Sequence, residues 1–124
     1  RSSVETAKTA LAQVVDAVFE LAGASKINFV GEYPGWKPNP DSAIRKEMEE
    51  VYNKLYGKTP AIMAIHAGLE CGLFYEKLSG LDCVSFGPNM KAIHTTEERL
   101  SISSVERTYQ YLCRVLEQLS KRQA

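Results

Sequence analysis

Three of the five prolines and the single tryptophan of this 124-residue chain fall in one short stretch, Tyr33-Pro34-Gly35-Trp36-Lys37-Pro38-Asn39-Pro40. Proline fixes φ and lacks the N–H that a helix or a sheet ladder needs, so neither element continues through this stretch. The residues on either side therefore form separate elements, and the stretch is a candidate boundary. The Trp36 segment reads as a binding surface or as a stiff linker with an aromatic lid over the core, and the linker is favoured because aromatic rings pack far more often than they bind.

On the N-terminal side, Ser2-Ser3-Val4-Glu5 has the capping-box arrangement, with Val4, Ala7, Leu11, Val14, Val18 and Leu21 following at steps of three and four. The pattern predicts a helix from about Ser3 to Ala22, stopped by Gly23. Lys26 to Tyr33 then alternates around Ile27, Phe29 and Glu32, a strand signal.

Beyond the boundary, Asp41 or Ser42 can cap a helix whose stripe is Ile44, Met48, Val51 and Leu55 and whose stop is Gly57. Pro60 to Ile65 and Leu81 to Phe86 are short apolar runs of the kind buried in a parallel sheet, with a glycine-started short helix ending near Gly80 between them. Ser103-Ser104-Val105-Glu106 repeats the capping box. Val105, Tyr109, Leu112, Leu116 and Leu119 then predict a helix to about Lys121. The order helix, strand, helix, strand, helix gives an α/β chain with a partial parallel sheet and flanking helices. Two strands do not complete a doubly wound sheet, so either Lys26 to Tyr33 joins it or the remaining strands belong to other chain. The opening Arg1-Ser2-Ser3, without methionine or a signal-peptide pattern, likewise suggests a piece of something longer.

Fifteen basic and fifteen acidic residues cancel, so no global field draws the chain to nucleic acid or to an anionic membrane. No apolar run approaches the ~20 residues of a membrane span. Cys71, Cys83 and Cys113 are an odd set without CxxC spacing, which fits a reducing, cytoplasmic setting better than a disulfide framework. Cys83 and Cys113 read as small core residues.

Chemistry concentrates in two places. Gly87-Pro88-Asn89-Met90-Lys91-Ala92-Ile93-His94-Thr95-Thr96-Glu97-Glu98 follows an apolar run, and puts an imidazole and two carboxylates where open α/β sheets bind ligands. His94 reads as a metal ligand or base, or as a surface histidine held by Glu97 or Glu98. A catalytic metal site needs at least three protein ligands, and with two histidines the chain offers part of a site. In His66-Ala67-Gly68-Leu69-Glu70-Cys71-Gly72 the glycines and a helix N-terminus suit a carboxylate, and Glu70 suits an ammonium group; the alternative is a plain tight turn. Cys71 as a thiol nucleophile lacks any surrounding signature, and a zinc site from Cys71, Cys83, His66 and His94 fits no closed spacing.

Tyr33-Pro34-Gly35-Trp36 with Pro38, His66-Ala67-Gly68-Leu69-Glu70-Cys71-Gly72-Leu73-Phe74, and Gly87-Pro88 followed by His94 and Glu98, in that order, resemble the carboxyl-terminal part of the aminoacyl-histidine dipeptidases. These Xaa-His dipeptidases, or carnosinase-like enzymes, are co-catalytic zinc peptidases. The resemblance covers essentially the whole chain. It implies a longer two-domain parent: residues 1–35 would end an α+β lid domain and residues 36–124 would close the catalytic α/β domain. His94 would be the last ligand of a zinc pair, Glu98 an oxygen acceptor behind its ring, and Gly68, Leu69 and Glu70 part of the substrate pocket. The catalytic base and the other ligands would lie outside this chain, leaving the fragment alone inactive. Short peptides, Xaa-His dipeptides among them, would be the substrates, and a homodimer is compatible. Where relatives commonly read His-Ser-Pro-Asp-Glu, this chain has His94-Thr95-Thr96-Glu97-Glu98, which puts the stiffness of that loop in question. The competing reading is a self-contained small-anion-binding or regulatory α/β domain without catalysis.

Overall fold

Helix α1 spans Glu5–Leu21 in a computed structural model that describes residues 4–65 and 69–122. Its N-cap is Val4, which makes no side-chain cap bond, and Glu5 pairs with Lys8 at 2.7 Å instead of reaching back. The expected cap, Ser2, lies outside the described residues. The C-terminus matches expectation closely. Gly23 sits at φ 88, its N–H donates to the Glu20 carbonyl at 2.9 Å, and the Ala24 N–H donates to Phe19 at 3.0 Å. That pair of bonds is a Schellman stop, which needs the left-handed residue that glycine supplies. The apolar stripe is present but left uncovered among the described residues: no residue of α1 is buried, and Leu11 is 65% exposed.

The chain divides into two units. The first comprises Arg1–Asn39 and Ala64–Leu81 and holds α1 and α3, Glu70–Lys77. The proline-rich stretch is what these helices share. Lys8 Nζ donates to the Tyr33 carbonyl at 3.3 Å, and the Pro34 carbonyl oxygen lies 2.9 Å from where a Cβ on buried Gly72 would stand. Gly72 is thus a close-approach glycine in the first turn of α3. Lys26 to Tyr33 forms no ladder, contrary to the strand expected there. Gly31, at φ 70, turns the backbone out of the pleat that a strand requires.

The second unit comprises Pro40–Met63 and Asp82–Ala124 and holds α2, Ala43–Tyr56, and α4, Ile102–Ser120. Helix α2 forms where its sequence places it: the Ser42 hydroxyl accepts from the Arg45 N–H at 3.1 Å, and Gly57 ends it at φ 65. Met48 and Val51 on α2 meet Tyr111 and Val115 on α4 to form the core, with Ile44, Tyr52, Val84 and Leu119 packed against it. The Tyr111 hydroxyl donates to the Met48 carbonyl at 2.8 Å. Glu47, also buried, is paired with Arg122 and accepts from Gln118 at 3.5 Å.

Two expectations for this unit are corrected. Helix α4 begins after Ser101, ahead of the predicted capping box; Ser104 is buried instead, donating to the Ser101 carbonyl at 2.7 Å and accepting from the Asn89 N–H at 2.9 Å. Its core face runs through Ser104, Tyr111 and Val115, while Tyr109 and Leu116 of the predicted stripe face outward. The runs Pro60–Ile65 and Leu81–Phe86 are not laddered. A strand exists only where a neighbour offers N–H and C=O groups about 4.8 Å away, and an apolar run alone does not provide one. Val84 instead docks by its side chain on the α2–α4 core. Among the described residues the partial parallel sheet is replaced by one antiparallel pair, β1 at Met90–Lys91 and β2 at Arg99–Leu100. The result is a mixed, mainly helical chain with a small sheet, consistent with a partial α/β fold.

Candidate functional site

The hairpin between β1 and β2 carries His94. Met90 pairs with Leu100 and Lys91 with Arg99, and the Ser101 N–H donates to the Asn89 carbonyl at 3.0 Å, so residues 92–98 are the loop of a short antiparallel hairpin. This differs from the strand-to-helix loop expected from the sequence. Two non-glycine residues in it are left-handed, Ala92 at φ 51 and His94 at φ 65. Such residues cost about 1–3 kcal/mol each and persist where their surroundings hold them; histidine is among the side chains enriched there.

Hydrogen bonds supply that hold. The Thr95 N–H and hydroxyl both donate to the Ala92 carbonyl, at 3.2 and 2.7 Å, and the same hydroxyl accepts from the Glu97 N–H at 3.2 Å. The Glu98 N–H donates to the Thr95 carbonyl at 3.2 Å. Glu98 Oε2 accepts from the main-chain N–H of His94 at 2.8 Å. Without a proline, this loop is braced by the hydrogen bonds of Thr95 and Glu98. His94 and Glu98 are brought together, with the carboxylate on the main chain of His94, and both residues are exposed.

Leu69 and Glu70 belong to the first unit. Leu69 is the N-cap of α3 at φ −121 and ψ 143, and its carbonyl accepts from the Gly72 N–H at 2.9 Å. Glu70 is exposed in the first turn, where the helix dipole favours a carboxylate. Gly68 and His66 lie outside the described residues. Among the described residues, Cys71, Cys83 and Cys113 form no disulfide, and each is partly buried.

Imidazole nitrogen is an ordinary zinc donor, and an exposed ring on a braced loop suits that role. Among the described residues, however, no three His, Cys, Asp or Glu side chains gather to hold a metal ion. His94 by itself therefore makes no metal site among the described residues.

Sequence reasoning also passed over two features of the second unit. Asp82 accepts from the Ile44 N–H at 3.1 Å, which closes the start of α2 from a distant part of the chain. Burial pushes its carboxyl up, but hydrogen bonds from the Ser42 hydroxyl and from the Ile44 and Ala43 N–H groups, with Arg45 nearby, bring it below its ordinary range. A groove of about 380 Å³ lies beside α2 and α4, lined by Tyr52, Tyr56, Phe86 and Tyr111 among others. Its rings meet edge to face, Tyr52 with Tyr56 at 4.7 Å and Tyr111 with Tyr52 and Phe86 at 5.5 and 5.4 Å. Tyr52 and Tyr56 at helical i, i+4 spacing were the available signal, but that spacing is equally a packing pattern.

Residues 5–118 match the model of peptidase family M20/M25/M40. The chain belongs to this family. Within it, this M20 chain is 38% identical over 119 residues to the cytosol non-specific dipeptidase of Escherichia coli strain K12, covering 96% of this chain and 24% of that protein. It also matches the crystal structure of aminoacylhistidine dipeptidase from Vibrio alginolyticus, at 42% identity and a TM-score of 0.72, over 94% of this chain and 24% of that one. The M20 chain therefore spans about a quarter of the length of the relatives it matches. The resemblance read from its motifs is borne out. Among the described residues, no helix is long and apolar enough to cross a membrane.

Proposed function

We propose that this chain is the carboxyl-terminal part of a zinc-dependent dipeptidase that hydrolyses short peptides, Xaa-His dipeptides in particular. The observation that carries the reading is the match over 96% of the chain to a protein named as a dipeptidase, with His94 on a braced loop as its chemical counterpart. Residues 1–35 would end the lid domain and residues 36–124 the catalytic domain, in a cytoplasmic enzyme able to dimerise. The same relatives weigh against a self-contained anion-binding module.

In this reading His94 would give a ring nitrogen to the metal, while further ligands and the general base would come from the rest of the protein. A bound zinc pair supplies Lewis acidity and a water of lowered pKa. Gly68, Leu69 and Glu70 would hold the charged ends of the dipeptide: main-chain N–H groups at the start of α3 suit its carboxylate, and the exposed Glu70 carboxylate suits its ammonium group.

The test is chromatographic detection of free histidine released from an Xaa-His dipeptide by the purified full-length protein. Release that is abolished by a chelator and restored by zinc is expected. A zinc-loaded, folded protein that cleaves no dipeptide would overturn the reading.

A further inference from the structure

We infer that Glu98 is the positioning residue for the His94 imidazole, acting through the main chain of His94 and not through its ring; this rests on His94 being a metal donor. The direction in which a side chain leaves its backbone is set by φ, and His94 stands at φ 65, in the region L-residues seldom occupy. Returning it to an ordinary negative φ would swing its Cβ, and with it the ring, away from the present direction. Residues 91–100 are all exposed, so side-chain packing does not fix that angle.

What ties that angle to the ladder is the 2.8 Å bond from the His94 N–H to Glu98 Oε2. Glu98 is the residue immediately before β2, whose register against β1 is set by the pairs Met90↔Leu100 and Lys91↔Arg99. The carboxylate therefore carries the position of the ladder to the tip of the loop. The Thr95 N–H bond to the Ala92 carbonyl closes the turn in which His94 is the third residue, while the His94 N–H itself is held by Glu98. Reach and acceptor character are what this role demands of residue 98; its charge is secondary.

That distinction gives the test. In the full-length protein, zinc affinity is measured by chelator competition, and the metal-free unfolding midpoint is measured alongside, for Glu98→Gln, Glu98→Asp and Glu98→Ala. Gln keeps reach and an oxygen acceptor without charge, whereas Asp keeps charge but is one methylene short. Positioning through the main chain predicts Gln within about threefold of wild type, with Asp and Ala both weaker by ~10-fold or more, the range seen when support behind a ligand is lost, and with unchanged metal-free midpoints. An Asp variant that binds zinc better than the Gln variant would assign the effect to charge and overturn the inference. So would wild-type affinity in Glu98→Ala. A His94→Ala variant that keeps its zinc sinks the donor assignment itself, whereas loss of zinc there with the wrong ranking at residue 98 sinks only the positioning role.

Discussion

The Asp82 carboxylate accepts a hydrogen bond from the Ile44 N–H at 3.1 Å across 38 residues of sequence, so α2 is capped both by its own Ser42 and by a group from another segment. Free N–H groups at a helix start are satisfied by such acceptors, and losing one costs about 1 kcal/mol. Asp82→Ala should lower stability by about that amount in urea unfolding at neutral pH. Because the folded-state pKa of Asp82 is lowered, its contribution is present above the unfolded value near 3.8 and fades as pH falls through the folded value. The wild type should therefore lose its advantage over Asp82→Ala in acid. An advantage independent of pH would contradict the ionised cap.

Tyr111 makes the corresponding link between α4 and α2. Burial first, then the neighbouring charges of Tyr52, Glu49 and Tyr56, push its phenol up to about 12 from the ordinary 10.0. The sign is opposite to that of Asp82: a raised folded pKa gives stability that is whole below the unfolded value and lost as pH rises through the folded one. Absorbance titration should show one of the six tyrosines ionising late, and that component should vanish in Tyr111→Phe. The variant should also lose about 1 kcal/mol with the bond to Met48.

At Gly72, helix propensity and packing oppose each other. Alanine is favoured over glycine inside a helix by about 1 kcal/mol, but its Cβ would stand 2.9 Å from the Pro34 carbonyl oxygen. The obstruction is main chain held in a proline-rich stretch and cannot rotate aside, so overpacking of about 1–3 kcal/mol should prevail. Gly72→Ala is expected to lower the unfolding midpoint; a rise would show that the stretch yields.

Features governed by near neighbours in sequence were legible. Ser42 and Gly57 bound α2, and Gly23 stops α1, because caps and left-handed stops are built within one turn. Features that need a distant partner were not. The apolar runs at residues 60–65 and 81–86 read as strands, yet a ladder depends on a neighbour that no local pattern specifies. On α4 the Val105–Leu116 stripe and the Ser104–Tyr111–Val115 face are both plausible, and contact with α2 decides between them. In the candidate site His94 and Glu98 were both legible as residue types at the right separation. The left-handed φ of His94 was not, nor was the destination of the Glu98 carboxylate on its N–H, because both depend on hairpin register.

The most direct measurement is the zinc stoichiometry of the purified full-length protein, wild type against His94→Ala, read together with dipeptide hydrolysis. A donor role for His94 predicts a folded variant with reduced zinc content and a matching loss of activity, since the metal supplies the Lewis acidity and the activated water. Full zinc content and undiminished hydrolysis in His94→Ala would contradict it.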